Sequence, residues 1–313
     1  LNASHTGCRY YASGATLSTA ALGVFLDPSY EGDGLKIKEI IKRGPFAVKK
    51  NEVTPGSIIE KIDGTDIKAG EDYNALLDGK AGKNIRLTIK NAKGKRFDLT
   101  IKAISQSAQQ ELLYKRWVDR NRAIVDSVSH GRIAYVHVKA MNSESFRTVY
   151  SELLSEKNRT KDAVIVDERH NGGGWLHDDL CTLLSGKQYQ EFVPHGKVVG
   201  KDPFNKWTKP SCVLICEDDY SNGHGFPWVY KELGIGKLIG APVAGTMTAV
   251  WWETLMDRSL VFGIPQVGCR DMRGTFGENT TLQPDIEVYN SPEDYITGHD
   301  TQLIRAVEEM MKK

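Results

Sequence analysis

The stretch AVIVDERHNGGG, residues 163–174, decides the fold class. It begins with four apolar residues, 163–166, a run typical of a strand buried on both faces of a sheet. Three consecutive glycines end the stretch, and the leucines of residues 176–184 then recur at helical spacing. A buried strand, a glycine loop and a helix in this order predict an α/β core with parallel strands.

The same alternation continues outward along the chain in both directions. Apolar runs predict further core strands at residues 133–136, 212–216 and 238–239. Helical spacing predicts helices over residues 146–154 and 226–233, and a long connecting helix over 106–128.

Residues 18–105 have a different pattern, in which short alternating strands are separated by turn residues such as Pro55-Gly56 and Asp63-Gly64. The predicted strands cover residues 22–26, 35–41, 58–62, 85–89 and 97–101, with a short helix at 73–77. We therefore predict three segments, which are an N-terminal segment (1–17), an inserted β-rich domain (18–105) and the α/β core (106–313).

The composition excludes several classes of partner. Among 313 residues, 41 basic and 40 acidic side chains give a formal net charge of +1, which provides no attraction for nucleic acid or an anionic membrane. The apolar runs fall far short of the roughly 20 residues that a membrane-spanning helix needs. Five scattered cysteines do not make a disulfide framework, and we expect Cys212 and Cys216 in the core.

The N-terminus shows no signal peptide, and the chain opens at Leu1 without an initiator methionine. We expect a fragment or a processed form, whose terminus does not identify the compartment. Our expectation for the compartment is extracytoplasmic and bacterial, either periplasmic or secreted.

Two strand-to-helix junctions could carry chemistry. At the first, residues 167–174, backbone N–H groups of the glycine loop can approach a ligand closely and could stabilise an oxyanion, although a tight turn is the alternative. At the second, residues 218–225, Ser221 could be a nucleophile or could simply cap the following helix. Both loops follow parallel strands, whose carboxyl ends collect ligands in α/β sheets, so the loops can be neighbours.

A nucleophilic serine needs a base, and the sequence offers several histidines. His224 is too close along the chain to have a favourable angle, and we expect it at the surface or behind the site. His137 lies within a predicted strand and suits the core. The group of His170, His177, Asp178 and Asp179 matches no zinc spacing, so no metal is predicted. His5 remains as a candidate.

Several motifs, taken in order along the chain, resemble the tail-specific proteases (C-terminal processing peptidases) and, within them, the tricorn-like branch. The segments that carry the resemblance are Ser4-His5, residues 167–174, Ser221-Asn222-Gly223 with Phe226-Pro227-Trp228, residues 231–240, Glu278-Asn279-Thr280 and residues 283–288. Residues 21–103 resemble a PDZ domain, in which Leu22, Gly23 and Val24 correspond to the carboxylate-binding strand. The resemblance implies an α/β core of the crotonase/ClpP-like type with strand–helix repeats.

The resemblance also implies the site residues of a serine peptidase. Ser221 would be the nucleophile and His5 the base, with Ser4 and Glu278 in support. The oxyanion would be held by the N–H of Asn222 and by a glycine N–H, with Gly173 preferred and Gly174 as the neighbouring choice.

Three departures from the family pattern bear on these roles. Residues 244–248 contain no lysine where the Ser/Lys branch has its base, so a Ser/Lys dyad cannot form there. Asn222 stands where the tricorn type usually has Asp, and Ser57 stands where a PDZ turn usually has Asp. No metal or organic cofactor is implied.

The expected partner is an unfolded or partly degraded polypeptide, recognised by its C-terminus or as an extended strand. The resemblance also allows a homo-oligomer. Two alternatives stay open at this point, which are a catalytically dead PDZ-bearing scaffold and an acyl-transferring enzyme of the broader crotonase-like architecture. The complete Ser, His and Glu set argues against the first, and the PDZ-like domain argues against the second.

Overall fold

The structure, a computed structural model, describes residues 3–11, 18–49 and 52–312. Packing divides the chain into two compact units, one of residues 14–119 and the other of residues 120–313 together with residues from the N-terminal segment up to 13. Residues 1, 2 and 12–17 of the predicted N-terminal segment lie outside the described residues. Within the described chain, no helix is both long and apolar enough to cross a membrane.

The strands of the described residues are, in chain order, β1 (Gly7–Tyr10), β2 (Val24–Leu26), β3 (Leu35–Ile40), β4 (Ile58–Ile62), β5 (Thr65–Asp66), β6 (Asn84–Lys90), β7 (Arg96–Lys102), β8 (Ile133–His137), β9 (Ala163–Asp167), β10 (Gln190–Phe192), β11 (Gly200–Asp202), β12 (Ser211–Ile215), β13 (Lys237–Gly240), β14 (Thr248–Thr254), β15 (Leu260–Gly268) and β16 (Ile286–Glu287). The α-helices are α1 (Gln106–Val128), α2 (Ser143–Leu153), α3 (Glu156–Arg159), α4 (His177–Leu184), α5 (Asn222–Glu232), α6 (Pro292–Thr297) and α7 (Thr301–Met311). Short 3-10 helices occupy Pro45–Lys49, Tyr73–Leu77 and Pro194–Gly196.

The unit of residues 14–119 contains an antiparallel sheet of order β2-β3-β4-β6-β7, with β5 paired to β4. Strand β6 shows why this sheet forms, because Ile85, Leu87 and Ile89 alternate with polar residues and are almost completely buried. The predicted strands are confirmed, although the first is shorter and begins only at Val24. The predicted helix at 73–77 is a single 3-10 turn, capped by the Asp72 carboxylate.

The larger unit is built around a parallel sheet of order β16-β13-β12-β9-β8. Every residue of β8, β9 and β12 is buried, as the continuous apolar runs predict for strands covered on both faces. Helix α1 has the predicted bounds. Helix α2 begins three residues earlier than predicted, because Asn142 caps it by accepting from the Ser145 N–H at 2.9 Å.

A third sheet, of order β1-β15-β14, was not predicted from the sequence. Its strands are half exposed, so they lack the clear alternation of a strand with one buried face. The pairing runs from Gly7 opposite Gly263 to Tyr10 opposite Leu260. This sheet holds the N-terminal segment against β15, and it thereby brings Ser4 and His5 beside Thr248 at the start of β14.

Candidate active site

Ser221 lies at the junction between β12 and α5, at the carboxyl edge of the parallel sheet. Its backbone has φ 59° and ψ −119°, a conformation that residues with a side chain rarely adopt. The Ser221 N–H donates to Thr246 Oγ1 at 2.8 Å, and the Ser221 side chain makes no capping bond to α5. The helix-cap alternative is therefore wrong, and the geometry is that of a strained strand-to-helix turn that exposes a hydroxyl.

The glycine loop after β9 packs directly against Ser221. A Cβ on Gly173 would lie 2.5 Å from the Cβ of Ser221, and a Cβ on Gly174 would collide with the Met141 carbonyl oxygen. Both glycines also have positive φ, of 93° and 134°. Side chains are therefore excluded from this loop by close approach as well as by backbone conformation.

The free backbone donors beside Ser221 differ in part from those expected. The Gly173 N–H donates to Asn171 Oδ1 at 2.9 Å, so the preference for Gly173 as an oxyanion donor does not fit this geometry. The N–H groups of Gly174 and Asn222 have no acceptor within residues 3–11, 18–49 and 52–312. Both residues line a cavity together with Ser221.

The side chain of Asn222 explains one departure from the family pattern. Its Oδ1 accepts the N–H groups of Leu176 (2.8 Å) and His177 (3.1 Å), and its Nδ2 donates to His177 Nδ1 at 2.8 Å. An amide can accept and donate at once, whereas a carboxylate can only accept. Asn222 therefore holds the start of α4 against the turn that carries Ser221.

Ser4, His5 and Glu278 form a continuous hydrogen-bonded chain. The Ser4 hydroxyl lies 2.7 Å from His5 Nδ1 and donates to Glu278 Oε2 at 2.9 Å, while the Ser4 N–H bonds to Glu278 Oε1. Because the hydroxyl proton goes to the carboxylate, the Ser4 oxygen must accept from His5 Nδ1–H. This pattern leaves His5 Nε2 as the unprotonated nitrogen. Thr248 Oγ1 lies within 3.1 Å of both Ser4 Oγ and His5 Nδ1.

Tyr220, the residue before Ser221, holds His5 through its hydroxyl and its ring. The Tyr220 hydroxyl accepts the His5 N–H at 2.7 Å, and the two ring centroids are 4.8 Å apart. Burial lowers the pKa of His5 below its ordinary value, an effect that the negative charge of Glu278 partly offsets. The imidazole is therefore neutral, and able to accept a proton, at neutral pH.

Two cavities meet at Ser221 and His5, which line both. The smaller, about 220 Å³, has a mainly apolar wall made by Trp175, Met247, Ala249, Val250 and Cys269. The larger, about 440 Å³, lies beside Arg9, Tyr220 and Trp252. A chain laid across the two cavities would pass directly over the serine and the histidine.

The other histidines are not placed to serve as the base. His224 is buried, which excludes the first of its two expected positions, at the surface or behind the site, and burial lowers its pKa to about 4. His137 is buried in β8 with Nε2 at 3.2 Å from the Arg169 carbonyl oxygen. His177 is engaged by Asn222, and His170 faces Asp218 at 3.0 Å.

The sequence did not indicate three residues that contact Ser4, His5 or Ser221. These residues are Tyr220, Thr246 and Thr248. The two threonines belong to the segment that lacks the lysine of the Ser/Lys branch, and their hydroxyls contact Ser221 N and the Ser4-His5 pair. The only available signal was this unusual pair of hydroxyls in place of a lysine. Thr248 begins the unpredicted β14 and Thr246 lies in the loop before it, so the sequence alone could not assign these contacts.

The segment Leu22-Gly23-Val24, whose sequence resembles the carboxylate-binding strand of a PDZ domain, does not present a free N–H at Gly23. Leu22 and Val24 are buried, and the Gly23 N–H donates to the side-chain oxygen of Gln109 at 3.0 Å. The Gly23 N–H, which was expected from the sequence to be free for a peptide carboxylate, is therefore already bonded to the Gln109 side chain. Ser57, the second departure, accepts the Thr54 N–H at 3.1 Å and so closes its turn as an Asp side chain would.

Comparison with known proteins defines the class to which this fold and site belong. Residues 132–288 match the model of peptidase family S41, and residues 30–106 match the tricorn protease PDZ domain. The protein is accordingly a serine-type peptidase with a PDZ domain. More particularly, the chain belongs to peptidase family S41 and is a tricorn-like member of it.

Individual relatives agree with this assignment. The chain is 28% identical to the tricorn protease of Thermoplasma acidophilum over 82% of its own length and 24% of that protein. It is also 28% identical to a tricorn protease homolog of Saccharolobus solfataricus, over 91% of its length and 26% of that protein. A crystal structure of the tricorn protease superposes with a TM-score of 0.84 at 24% identity, over 99% of this chain and 31% of that one, which establishes the fold. The chain spans about a quarter of the length of these curated relatives.

Proposed function

We propose that the protein is an endopeptidase that hydrolyses unfolded or partly degraded polypeptides through an acyl-enzyme on Ser221. The tetrad of the proposal is Ser221, His5, Ser4 and Glu278. The observation that carries it is the chain Glu278–Ser4–His5, which ends at the cavities that Ser221 also lines. A nucleophile, an oriented base and a supporting carboxylate are the parts that this chemistry needs.

In the proposed reaction, His5 Nε2 takes the proton of the Ser221 hydroxyl as Oγ attacks the peptide carbonyl carbon. The imidazolium that forms is held by Ser4 and by the nearby charge of Glu278. It then returns the proton to the leaving amine, which departs and leaves an ester on Ser221. Water attacks the ester by the same route and releases the acid.

For the oxyanion, we propose the N–H groups of Asn222 and Gly174. Neither has another acceptor in the described part of the chain, and both lie at the wall of the smaller cavity. Asn222 also begins α5, so the positive end of this helix adds to the stabilisation of negative charge.

The type of core and the division into segments are part of the proposal. The parallel sheet, in which a helix follows every strand except β13, and the glycine-loop amides at its carboxyl edge support a crotonase/ClpP-like core. Residues 18–105 would be the inserted domain between the N-terminal segment (1–17) and the core (106–313). In this organisation the inserted domain selects substrates, by their C-terminus or as an extended strand.

Replacement of the nucleophile tests the proposal. We expect Ser221→Ala to lower kcat on an unstructured polypeptide by on the order of 10⁶ while the fold persists, because no other group can form the acyl-enzyme. Ser151→Ala, at an exposed position on α2, is the matched control and should be fully active. A Ser221→Ala protein that keeps a tenth of the wild-type rate would remove this serine from the mechanism.

A further inference from the structure

Three different metal-ligand side chains meet where two loops touch, on the outer side of the nucleophile turn. Cys216 follows β12 and begins the loop that leads to Ser221, and Asp218 lies in the same loop. His170 belongs to the loop that leads to the three glycines. Their donor atoms all lie within 4.8 Å of one another.

The separations between these atoms suit a single ion. Asp218 Oδ1 is 2.8 Å from Cys216 Sγ and 3.0 Å from His170 Nδ1, and Sγ and Nδ1 are 3.8 Å apart. Zinc bonds of about 2.0–2.3 Å in a tetrahedral site place neighbouring ligand atoms roughly 3 to 4 Å apart. The three side chains could therefore bind one ion with small rotations and no movement of the backbone.

The three ligand types also favour one class of metal ion. Thiolate, imidazole and carboxylate together favour Zn²⁺ and related transition ions, whereas Mg²⁺ and Ca²⁺ prefer oxygen ligands alone. We propose that His170, Cys216 and Asp218 form a Zn²⁺ site with three protein ligands and a fourth position open to water. This site is separate from the tetrad and does not depend on the proposed function.

The surroundings are arranged for entry of an ion. The side chains of His170 and Asp218 are 49% and 66% exposed, while the Cys216 residue is buried at the base. The neighbouring Asp219 is already engaged, because its carboxylate accepts the N–H groups of Cys216 (2.8 Å) and Asn171 (3.1 Å). Asp219 thus holds the two loops in register, and the open side of the cluster faces solvent.

An ion at this position would tie together the two loops that build the active site. Within a few residues of the cluster, the Tyr220 N–H already donates to the Asn171 carbonyl oxygen at 2.9 Å. A metal bond would add a further and stronger link between the same loops. Zn²⁺ should therefore stabilise the folded chain, because it binds only when the loops are in place.

The test uses the full chain with Ser221→Ala, to prevent self-cleavage, and with Cys8→Ser, to remove an exposed thiol. Co²⁺ is the spectroscopic probe, since a cobalt–thiolate bond has a charge-transfer absorption that oxygen and nitrogen ligands lack. We expect this absorption at one equivalent of Co²⁺, its loss on addition of Zn²⁺, and no effect of excess Mg²⁺. A hundredfold excess of Zn²⁺ over its Kd should raise the Tm.

Three variants and two controls assign the ligands. Cys216→Ser should abolish the absorption, and His170→Ala and Asp218→Asn should each weaken Zn²⁺ binding at least ~10-fold. The controls are Cys269→Ser and His299→Ala, which should bind like the parent. Asp218 is so exposed that Asp218→Asn tests the site even if Cys216→Ser does not fold. Cobalt binding without the absorption, or unchanged Zn²⁺ affinity in Asp218→Asn, would overturn the proposal, while the Ser221 chemistry would be unaffected.

Discussion

The hydroxyl of Ser4 links a carboxylate to an imidazole and so decides which ring nitrogen carries the proton. Glu278 can only accept, so the Ser4 proton points to Glu278 and the Ser4 oxygen receives the proton of His5 Nδ1. In the proposed mechanism Glu278 is a positioning residue that acts through Ser4. Thr248, within 3.1 Å of His5 Nδ1, adds a second hydroxyl on the same side of the ring.

We predict that Glu278→Gln lowers kcat by roughly 10⁴ with little change in KM, by analogy with loss of the supporting carboxylate in a catalytic triad. The Gln amide can donate to Ser4, which frees the Ser4 proton for His5 Nδ1 and favours the tautomer that is protonated on Nε2. Ser4→Ala should be milder, because water can replace the hydroxyl. Steady-state kinetics measures both, with Glu253→Gln, on the exposed face of β14, as control. A kcat within threefold of wild type would place Glu278 outside the site.

At the scale of elements, several buried ionisable side chains lie at the end of β9, just before the glycine loop. Arg169 pairs with Asp167 at 2.7 Å and with Asp300 at 2.9 Å, all three being almost fully buried. Glu168, which lies between Asp167 and Arg169 in the sequence, is also buried. Neither of its carboxylate oxygens has a hydrogen-bond partner in the described chain. Burial, together with the charges of Asp219 and Asp167, raises the pKa of Glu168 well above its ordinary value.

This raised pKa predicts a particular pH dependence of stability. Because the pKa of Glu168 is raised in the native state, the native chain loses this proton at a higher pH than the unfolded chain, whose Glu ionises near about pH 4.3. This residue therefore destabilises the fold increasingly as pH rises above that value. Glu168→Gln cannot ionise and should gain at least about 1 kcal/mol relative to wild type between pH 4 and pH 8. Unfolding in urea at several pH values measures this difference, with the exposed Glu308→Gln as control. A difference that is constant with pH would show that Glu168 is ionised in the native state.

Some strands of the fold could be predicted from the sequence and others could not. Strands β8, β9 and β12 could be predicted because burial on both faces leaves a continuous apolar run. Strands β14 and β15 could not, because half-exposed strands mix polar and apolar residues without a fixed period. Ser221 and the Ser4-His5 pair could be proposed as site residues from motif resemblance, whereas the contacts of Thr246 and Tyr220 with them became visible only in the loop geometry.

At the scale of the whole molecule, the chain combines a peptidase-family core with a PDZ domain. We propose that the peptide-binding loop of this domain, at Leu22-Gly23-Val24, holds an internal ligand. Within the unit of residues 14–119, Gln109 of α1 accepts the Gly23 N–H that a peptide carboxylate would use. A C-terminal peptide must therefore displace this side chain. The hydrogen bond between Gly23 and Gln109 could not be predicted from the sequence, because the two residues lie more than eighty positions apart along the chain.

Removal of this internal ligand should improve peptide binding. In the full chain with Ser221→Ala, we expect a free-acid peptide to bind more tightly than its C-terminal amide, and Gln109→Ala to raise the free-acid affinity several-fold. Gln110→Ala, at the exposed neighbouring position, is the matched control. Calorimetric titration decides the matter: equal affinities for acid and amide, or no gain in Gln109→Ala, would exclude carboxylate capture at Gly23.

The central claim is that His5 activates Ser221, and the rate of covalent labelling by a fluorophosphonate probe tests it most directly. The probe reacts only with an activated serine, and mass spectrometry identifies the labelled residue. We expect wild-type label on Ser221 and labelling at least ~100-fold slower in His5→Ala, but a nearly normal rate in His224→Gln. Because burial lowers the pKa of His5, the wild-type rate should fall on acidification with a midpoint below the ordinary histidine value of about pH 6.5, as the base becomes protonated. Undiminished labelling of Ser221 in His5→Ala, or label on another serine in the wild type, would contradict the account.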